Sequence, residues 1–293
     1  MILILSGAGF LGQAIVRDLQ LKVPEGAIVN TTSRRHGVQK GIRYVEYKSQ
    51  SALRHLLDEV NPNFIVHLAS SCLGDETELA FRQGSVRDKN LISAIKDWGG
   101  EVKIIFVASM ACFKSTDKKI KLDCHDPESI YGKEKSQMVA RLKNLANGSK
   151  NIDVKIIYPS SIYGAGQRGK MFLPSLLQNV KMHTKMSASG SKKRRDYIHI
   201  SDVSRLIVAI INDFEELKET DIVLNSGQLV ELGEIVAMVC NILGMDINDV
   251  ISFEDSPGDM NDYQSIDDSY NFPLSRLSNV PLVDGLREMF REA

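Results

Sequence analysis

A chain of 293 residues is near twice the ~150 residues that one domain typically takes, which predicts one large α/β unit or a main domain with a smaller one beside it. Its 43% hydrophobic content is enough to bury a full core without disulfides or metal. Lysine plus arginine total 36 against 37 for aspartate plus glutamate, a net charge of −1, which excludes the bulk positive charge of a general nucleic-acid binder.

Short runs rich in Ile and Val alternate with helix-length amphipathic segments. Ile2–Ser6 reads as a strand that ends in glycines, and Gln13–Leu21 has helical spacing. Ala27–Thr32 and Tyr44–Tyr47 are the next strand candidates. Ser51–Val60 is helical, with Leu53, Leu56, Leu57 and Val60 on one face. Phe64–Ala69 reads as strand, Val86–Trp98 as helix, Val102–Ala108 as strand, Glu134–Asn147 as helix and Val154–Tyr158 as strand. Continuous apolar strands separated by helices predict a parallel sheet covered on both faces. After Pro159 the texture changes. Gly164–Gly169 is glycine-rich, Ser187–Arg195 reads as a polar, basic loop, and Glu254–Tyr270 as an acidic loop. Helices at Val203–Asn212 and Leu232–Leu243 mix with a short strand at Ile222–Asn225. The expected layout is a main sheet domain over residues 1–160, to which later segments return, and a cap assembled mostly from residues 161–293.

No apolar run approaches the ~18 residues of a membrane span. The first strand-like run begins at Ile2, which predicts no signal or transit peptide. Cys72, Cys112, Cys124 and Cys240 lack C-x-x-C spacing, so neither a zinc knuckle nor a disulfide framework is indicated. A reduced, cytoplasmic protein without metal, membrane or nucleic-acid partner is expected.

Gly7-Ala8-Gly9-Phe10-Leu11-Gly12 spells G-x-G-x-x-G directly after a strand and at the start of a helix. In that context Gly7 is expected to permit the tight turn, Gly9 to let backbone approach a pyrophosphate, and Gly12 to let the helix pack on the sheet. The helix N-terminal amides would receive the anion. About 20 residues on, an acidic residue would hold a ribose 2′-hydroxyl. The sequence there is Asn30-Thr31-Thr32-Ser33-Arg34-Arg35. Ser33, Arg34 and Arg35 suit a 2′-phosphate through forked, charge-assisted bonds, which favours NADP(H) over NAD(H); the alternative is a solvated basic loop.

Tyr131 and Lys135, four residues apart, share a face on a helix. A phenol with pKa near ~10 is a poor acid or base at neutral pH, and a lysine cation beside it lowers that value. Ser109 follows the strand Val102–Ala108, where it is placed to hydrogen-bond a substrate oxygen. His67 and His199 lie in strand-like segments and read as packed rather than catalytic. Cys72 has no base partner in the sequence.

Taken in order, these motifs resemble the extended short-chain dehydrogenase/reductases, in their nucleotide-sugar epimerase/dehydratase/reductase branch. Gly7–Gly12 is similar to the family's glycine loop, Val66-His67-Leu68-Ala69 to its HLAA strand end, and Asn90 stands where its NLLEA helix begins. Phe106–Phe113 resembles the serine strand, with Ser109 on the catalytic serine, and Tyr131 and Lys135 match Y-x-x-x-K. Tyr158-Pro159-Ser160-Ser161-Ile162-Tyr163-Gly164 is similar to RPxNVYG. Arg195–Val203 is similar to RDFIHVDDV, and Asn225-Ser226-Gly227 to NxGxG.

The resemblance implies a Rossmann-type, doubly wound parallel sheet with a smaller α/β C-terminal substrate domain. It also implies a nucleotide-diphosphate sugar substrate, a homodimer, and cofactor contacts from Leu68, Ala69, Tyr131, Lys135, Tyr158 and Ser161. Ser109 and Arg195 would meet substrate, Arg195 at the diphosphate; Lys192-Lys193-Arg194 beside it reads as a solvated run.

Departures from the family pattern narrow the reaction. Met110-Ala111 stand where 4,6-dehydratases carry an Asp-Glu pair. Ala111 stands where fucose-type epimerase-reductases carry a cysteine, with Cys112 one position off and expected to face the interior. Ser161 replaces an asparagine, Ser256 an arginine, and Lys48 stands where an acidic residue often meets adenine. What remains is NADPH-dependent reduction of a nucleotide-diphosphate 4-keto-6-deoxy sugar with Tyr131 as proton donor. The alternatives are a nucleotide-sugar 4-epimerase with tightly held NAD(P) and a non-catalytic dinucleotide-binding regulator, which usually loses the tyrosine or lysine kept here.

Overall fold

The computed structural model describes residues 1–32, 37–39, 42–46, 49–70, 77–114, 119–254, 265–266 and 279–291. In chain order the elements begin β1 (Ile2–Leu5), α1 (Phe10–Gln20), β2 (Ile28–Thr31), β3 (Gly37–Gln39), β4 (Ile42–Val45), α2 (Gln50–Val60), β5 (Phe64–His67), α3 (Glu78–Trp98) and β6 (Val102–Val107). Next come β7 (Lys119–Ile120), α4 (Ile130–Asn147), β8 (Ile152–Pro159), β9 (Ser161–Tyr163), α5 (Phe172–Lys181), β10 (Met186–Ala188), β11 (Arg194–His199) and α6 (Ile200–Asn212). The last are β12 (Asp221–Leu224), β13 (Leu229–Glu231), α7 (Leu232–Leu243), α8 (Ile247–Val250), β14 (Ile251–Phe253), β15 (Ser265–Ile266) and α9 (Leu282–Phe290).

Among the described residues, eight strands form one sheet in the order β12-β8-β6-β5-β1-β2-β4-β3. The pairings from β8 across to β4 are parallel, and β3 lies antiparallel on β4. Strands buried on both faces need unbroken apolar runs. Leu3, Ile4, Leu5, Ile65, Val66, Ile104, Ile105, Ile156 and Ile157 supply them, all without exposed surface. From β4 to β8 the chain order is 3-2-1-4-5-6, the Rossmann arrangement, and its direction reverses between β1 and β5.

Helices α2, α3 and α4 pack side by side, pinned by Gln50 on Asp97 and by Arg141 on Ser85, both at 2.8 Å. Helix α3 starts eight residues before the expected Val86, because its first two turns set Leu79, Ala80 and Phe81 in one run before Arg82, Gln83 and Ser85 and carry little helical apolar periodicity. Thr77 fixes that start by accepting from the Ala80 amide at 3.2 Å. Helix α4 likewise begins at Ile130 rather than Glu134, capped by Ser129, whose Oγ accepts from the Gly132 amide at 2.9 Å. That cap places Tyr131 in the helix's first turn.

The chain divides into two compact units: Met1–Lys114, His125–Tyr158 and Ser204–Ile222 make the first, and Ser115–Cys124, Pro159–Val203 and Val223–Ala293 the second. The second has its own core, with Leu173 and Leu176 of α5, Ile235, Val236 and Val239 of α7 and Leu286 and Phe290 of α9 packed around Tyr163 and Tyr197. Its small sheet runs β13-β11-β9. The expected loop at Ser187–Arg195 is partly strand: β10 pairs with β14, and β11 takes in Arg194 and Arg195. Arg194 lies opposite Glu231, so opposite charges stand face to face in register where apolar alternation would have marked a strand. No helix among the described residues is long and apolar enough to cross a membrane.

Candidate active site

The carboxyl ends of β1, β5 and β6 in the first unit carry the residues singled out by motif. The left-handed residue of the turn after β1 is Ser6, at φ 68°, rather than Gly7. Gly7 is required for space: a Cβ there would sit 2.4 Å from the Asn30 Oδ1. Buried Asn30 accepts from the Gly7 amide at 2.9 Å, and Thr31 Oγ1 accepts from the Ser6 amide at 3.2 Å, so the end of β2 holds the turn in shape. Gly12 faces that turn; its Cβ would fall 2.5 Å from the Gly7 Cα. Close packing of helix against turn, more than helix against sheet, is what excludes a side chain at Gly12.

Gly9 differs. It is exposed, and a Cβ on it would approach nothing nearer than the Ser6 carbonyl at 3.6 Å. It is also the N-cap of α1 and carries no side-chain cap, whereas Ser49, Thr77 and Ser129 cap the next three helices. The first amides of α1, at half-buried Phe10 and Leu11, are thus not taken by a capping side chain, as an anion cradle requires. Gly9→Ala should keep wild-type thermal stability while weakening dinucleotide binding at least tenfold, whereas Gly12→Ala should cost ~1–3 kcal/mol of stability through overpacking. Thermal melts and NADPH titrations of both variants test this, and equal stability losses would sink the distinction.

Ser109 leaves β6 in extended conformation and caps a short 3-10 turn, Met110–Cys112, with its Oγ accepting from the Ala111 amide at 3.1 Å. The first turn of α4 lies directly on this backbone; a Cβ on Gly132 would be 2.0 Å from the Ala111 carbonyl oxygen. Ser109 and Tyr131 are thereby held on adjoining segments, both half-buried. One turn further, Lys135 is buried, 5.9 Å from the Tyr131 ring centroid and 4.8 Å from that of Phe106. Its Nζ donates to the carbonyls of Val107 at 2.8 Å and Ala69 at 3.3 Å. Burial pushes the ammonium down to about 8, with the Glu134 carboxylate pulling it back up. Leu68 continues from β5, its amide on the Leu5 carbonyl at 3.1 Å, so Leu68 and Ala69 stand beside the glycine turn and Lys135 alike.

Met110 is buried, and Cys112 has no exposed surface, its thiol pushed up by burial. Tyr158, expected at the cofactor, keeps its side chain elsewhere. The hydroxyl donates to Asp221 Oδ1 at 3.0 Å and lies 3.1 Å from His125 Nε2 inside the first unit. His67 is packed against Phe106 and accepts from the Ala69 amide at 3.4 Å. Ser33, Arg34, Arg35, Lys48, Cys72 and Ser256 lie outside the described residues.

In the second unit, Ser161 sits on β9 opposite Tyr197, and half-buried Arg195 on β11 opposite Val230, donating from Nη1 to the Arg194 carbonyl at 2.9 Å. Asp196 next to it accepts from Ser160 Oγ at 2.7 Å and from the amides of Ser226, Gly227 and Gln228. Burial pushes its carboxyl up, and these donors pull it back. His199 is buried against Tyr163. Sequence reasoning missed Asn30, Thr31, Asp196 and Glu134. Of these, only Asp196 had a signal, its place beside Arg195 in a motif.

A glycine turn at the point where this strand order reverses is where doubly wound folds take a dinucleotide, and that defines the class. The NAD dependent epimerase/dehydratase family model matches residues 2–225, and the chain belongs to that family, enzymes of the extended short-chain dehydrogenase/reductase type. A search of curated proteins gave no match. Among solved structures, UDP-glucuronic acid 4-epimerase from Bacillus cereus, in complex with UDP-glucuronic acid and NAD, is similar at TM-score 0.80 and 18% identity, over 99% of this chain and 98% of that one. The dTDP-glucose 4,6-dehydratase DesIV from Streptomyces venezuelae, with NAD bound, gives 0.82 at 18%, over 99% and 95%. The UDP-glucose 4-epimerase of Thermus thermophilus, in complex with NAD, gives 0.79 at 18%, over 100% and 99%. At such identities they share the fold.

Proposed function

We propose that the protein reduces the 4-keto group of a nucleotide-diphosphate 4-keto-6-deoxy sugar, with NADPH as hydride source and Tyr131 as proton donor. The observation that carries this reading is the strand end after β6. Met110 and Ala111 move no proton, and Cys112 is sealed in the interior with a raised thiol. Water elimination and proton exchange at carbon therefore have no acid or base there, which leaves Ser109, Tyr131 and Lys135 to serve a carbonyl.

The open position at Gly9 and the uncapped start of α1 fit a dinucleotide pyrophosphate. Gly7, Gly9, Phe10, Leu11 and Gly12 would hold it, with Leu68, Ala69, Tyr158 and Ser161 as further contacts. A nicotinamide bound there would supply the hydride for the carbonyl carbon. Ser109 hydrogen-bonds the carbonyl oxygen, and Tyr131 gives that oxygen its proton as the C–H bond forms. Lys135 holds the nicotinamide ribose and stabilises the phenolate left behind. Arg195 takes the substrate diphosphate in forked bonds. The preference for the 2′-phosphate rests on the chemistry of Ser33, Arg34 and Arg35.

The purified enzyme is expected to arrive largely free of nicotinamide and to oxidise NADPH stoichiometrically when given a nucleotide 4-keto-6-deoxy sugar. NADPH should bind more tightly than NADH, and replacing Arg34 and Arg35 with alanine should shrink the gap by ~1.5–3 kcal/mol per lost charge-assisted contact. Equal affinities in the wild type would remove the cofactor preference. The two 4-epimerases of this fold solved with NAD favour a second reading, 4-epimerisation with a retained cofactor. Interconversion of 4-hydroxy epimers without added NADPH, and with no net change in nicotinamide absorbance, would establish that one instead.

A further inference from the structure

Beside the Tyr131–Lys135 pair lies a buried ionic cluster that the reaction as described does not use. Glu134 precedes Lys135 on α4 and is 2% exposed. Its Oε1 accepts from Arg87 Nη2 of α3 at 3.2 Å, and its Oε2 accepts from Ser70 Oγ, one residue past the Ala69 carbonyl that Lys135 hydrogen-bonds. Arg87 also binds Asp88 Oδ1 at 2.9 Å, and Asp88 lies 3.8 Å from His67 of β5 and 3.9 Å from Arg141 of α4. A carboxylate this far from water is costly unless paired, and here the arginine and the serine hold it beside a lysine that is itself buried. Packing alone would be served better by an apolar side chain at this position.

We propose that Glu134 is a positioning residue for Lys135: clamped by Arg87 and Ser70, its carboxylate keeps the lysine cationic and ties the Leu68–Ser70 segment to the start of α4. The inference rests on the reading that Lys135 holds the nicotinamide ribose. The charged and titratable groups facing Lys135 are Glu134 and Tyr131 from α4, Arg87 and Asp88 from α3, His67 from β5, and Cys112 from the turn after β6. His67 is held neutral by burial, while Asp88 is held ionised by His67 and Arg87 against its burial. Of these groups, Glu134 does most to favour the cation, and Arg87 opposes it.

The two ends of one ion pair therefore act on Lys135 in opposite directions, and that sign separates positioning from mere structural support. The test is a fluorescence titration with NADH, which carries no group that titrates in the window, from pH 6.5 to 9.5. In the wild type, affinity should fall above a break near the lysine's value of about 8, and Lys135→Met should abolish the break. Glu134→Gln should move the break down by about one pH unit, giving binding roughly 5- to 10-fold weaker at pH 8.5 and nearly equal at pH 6.5. Glu134→Asp should restore most of it, and Arg87→Gln should move the break up.

A uniform loss of affinity in Glu134→Gln with the break unmoved would overturn the proposal. Should that variant fail to fold, a break that stays or moves down in Arg87→Gln overturns it equally. A break that survives in Lys135→Met would instead remove the reading of Lys135 itself. The titration contains no sugar, so failure of the ketoreductase reading leaves its outcome untouched.

Discussion

Replacing Tyr131 with phenylalanine is expected to cut turnover by ~10²-fold or more while leaving NADPH affinity nearly intact. The ring is half-buried in the first turn of α4 and sits 5.9 Å from the Lys135 ammonium. Phenylalanine keeps that packing and removes only the hydroxyl, so the loss reads the proton and nothing else. Lys135→Met should lower both turnover and affinity, because the ammonium is assigned to the ribose as well as to the phenol. Steady-state rates with a nucleotide 4-keto sugar, paired with NADPH titrations, check both variants. Wild-type turnover in Tyr131→Phe would refute the assignment.

A second large effect is expected at a residue with no functional group. Gly132→Ala adds one methyl, and that methyl would lie 2.0 Å from the Ala111 carbonyl and 3.0 Å from the Pro127 Cβ. The nearer obstacle is backbone, which cannot swing aside as a side chain can. Either α4 lifts from the turn after Ser109 or that turn moves, and the spacing of Ser109 and Tyr131 changes in both cases. Displacement of a catalytic group by about 1 Å costs on the order of 10²-fold in rate. The strain itself should lower stability by ~1–3 kcal/mol. A variant that melts like the wild type and turns over within twofold of it would show that the contact relaxes without consequence.

The glycine turn and the strand before it were legible because every signal is local: an apolar run, spaced glycines, then a helical pattern. The same holds for Tyr131 and Lys135, whose four-residue spacing becomes a shared face as soon as the segment is helical. What escaped were features that depend on partners distant in sequence. Ser6 takes the left-handed conformation because Thr31 and Asn30, on the next strand, hold the turn. Strand β10 exists through Ile251–Phe253, over sixty residues later, and three residues alone carry no readable alternation. Glu134 beside Lys133 and Lys135 reads as one more solvated helix charge. Its burial depends on Arg87 and Ser70, which no periodicity connects to it.

The order of strands in the large sheet also constrains when the protein can fold as it is made. Strand β8 is complete once Pro159 has been synthesised, yet its outer neighbour is β12, at Asp221–Leu224. Lys155 on β8 likewise waits for the carbonyls of Leu217 and Glu219. Until those residues leave the ribosome, β8 is an open sheet edge of the kind that recruits other chains. Closing it means bringing together segments some sixty residues apart, which sets a loop-closure cost and slows the final step. A nascent chain stalled after Pro159 should therefore be captured by holdase chaperones, and one stalled well beyond Leu224 should be released.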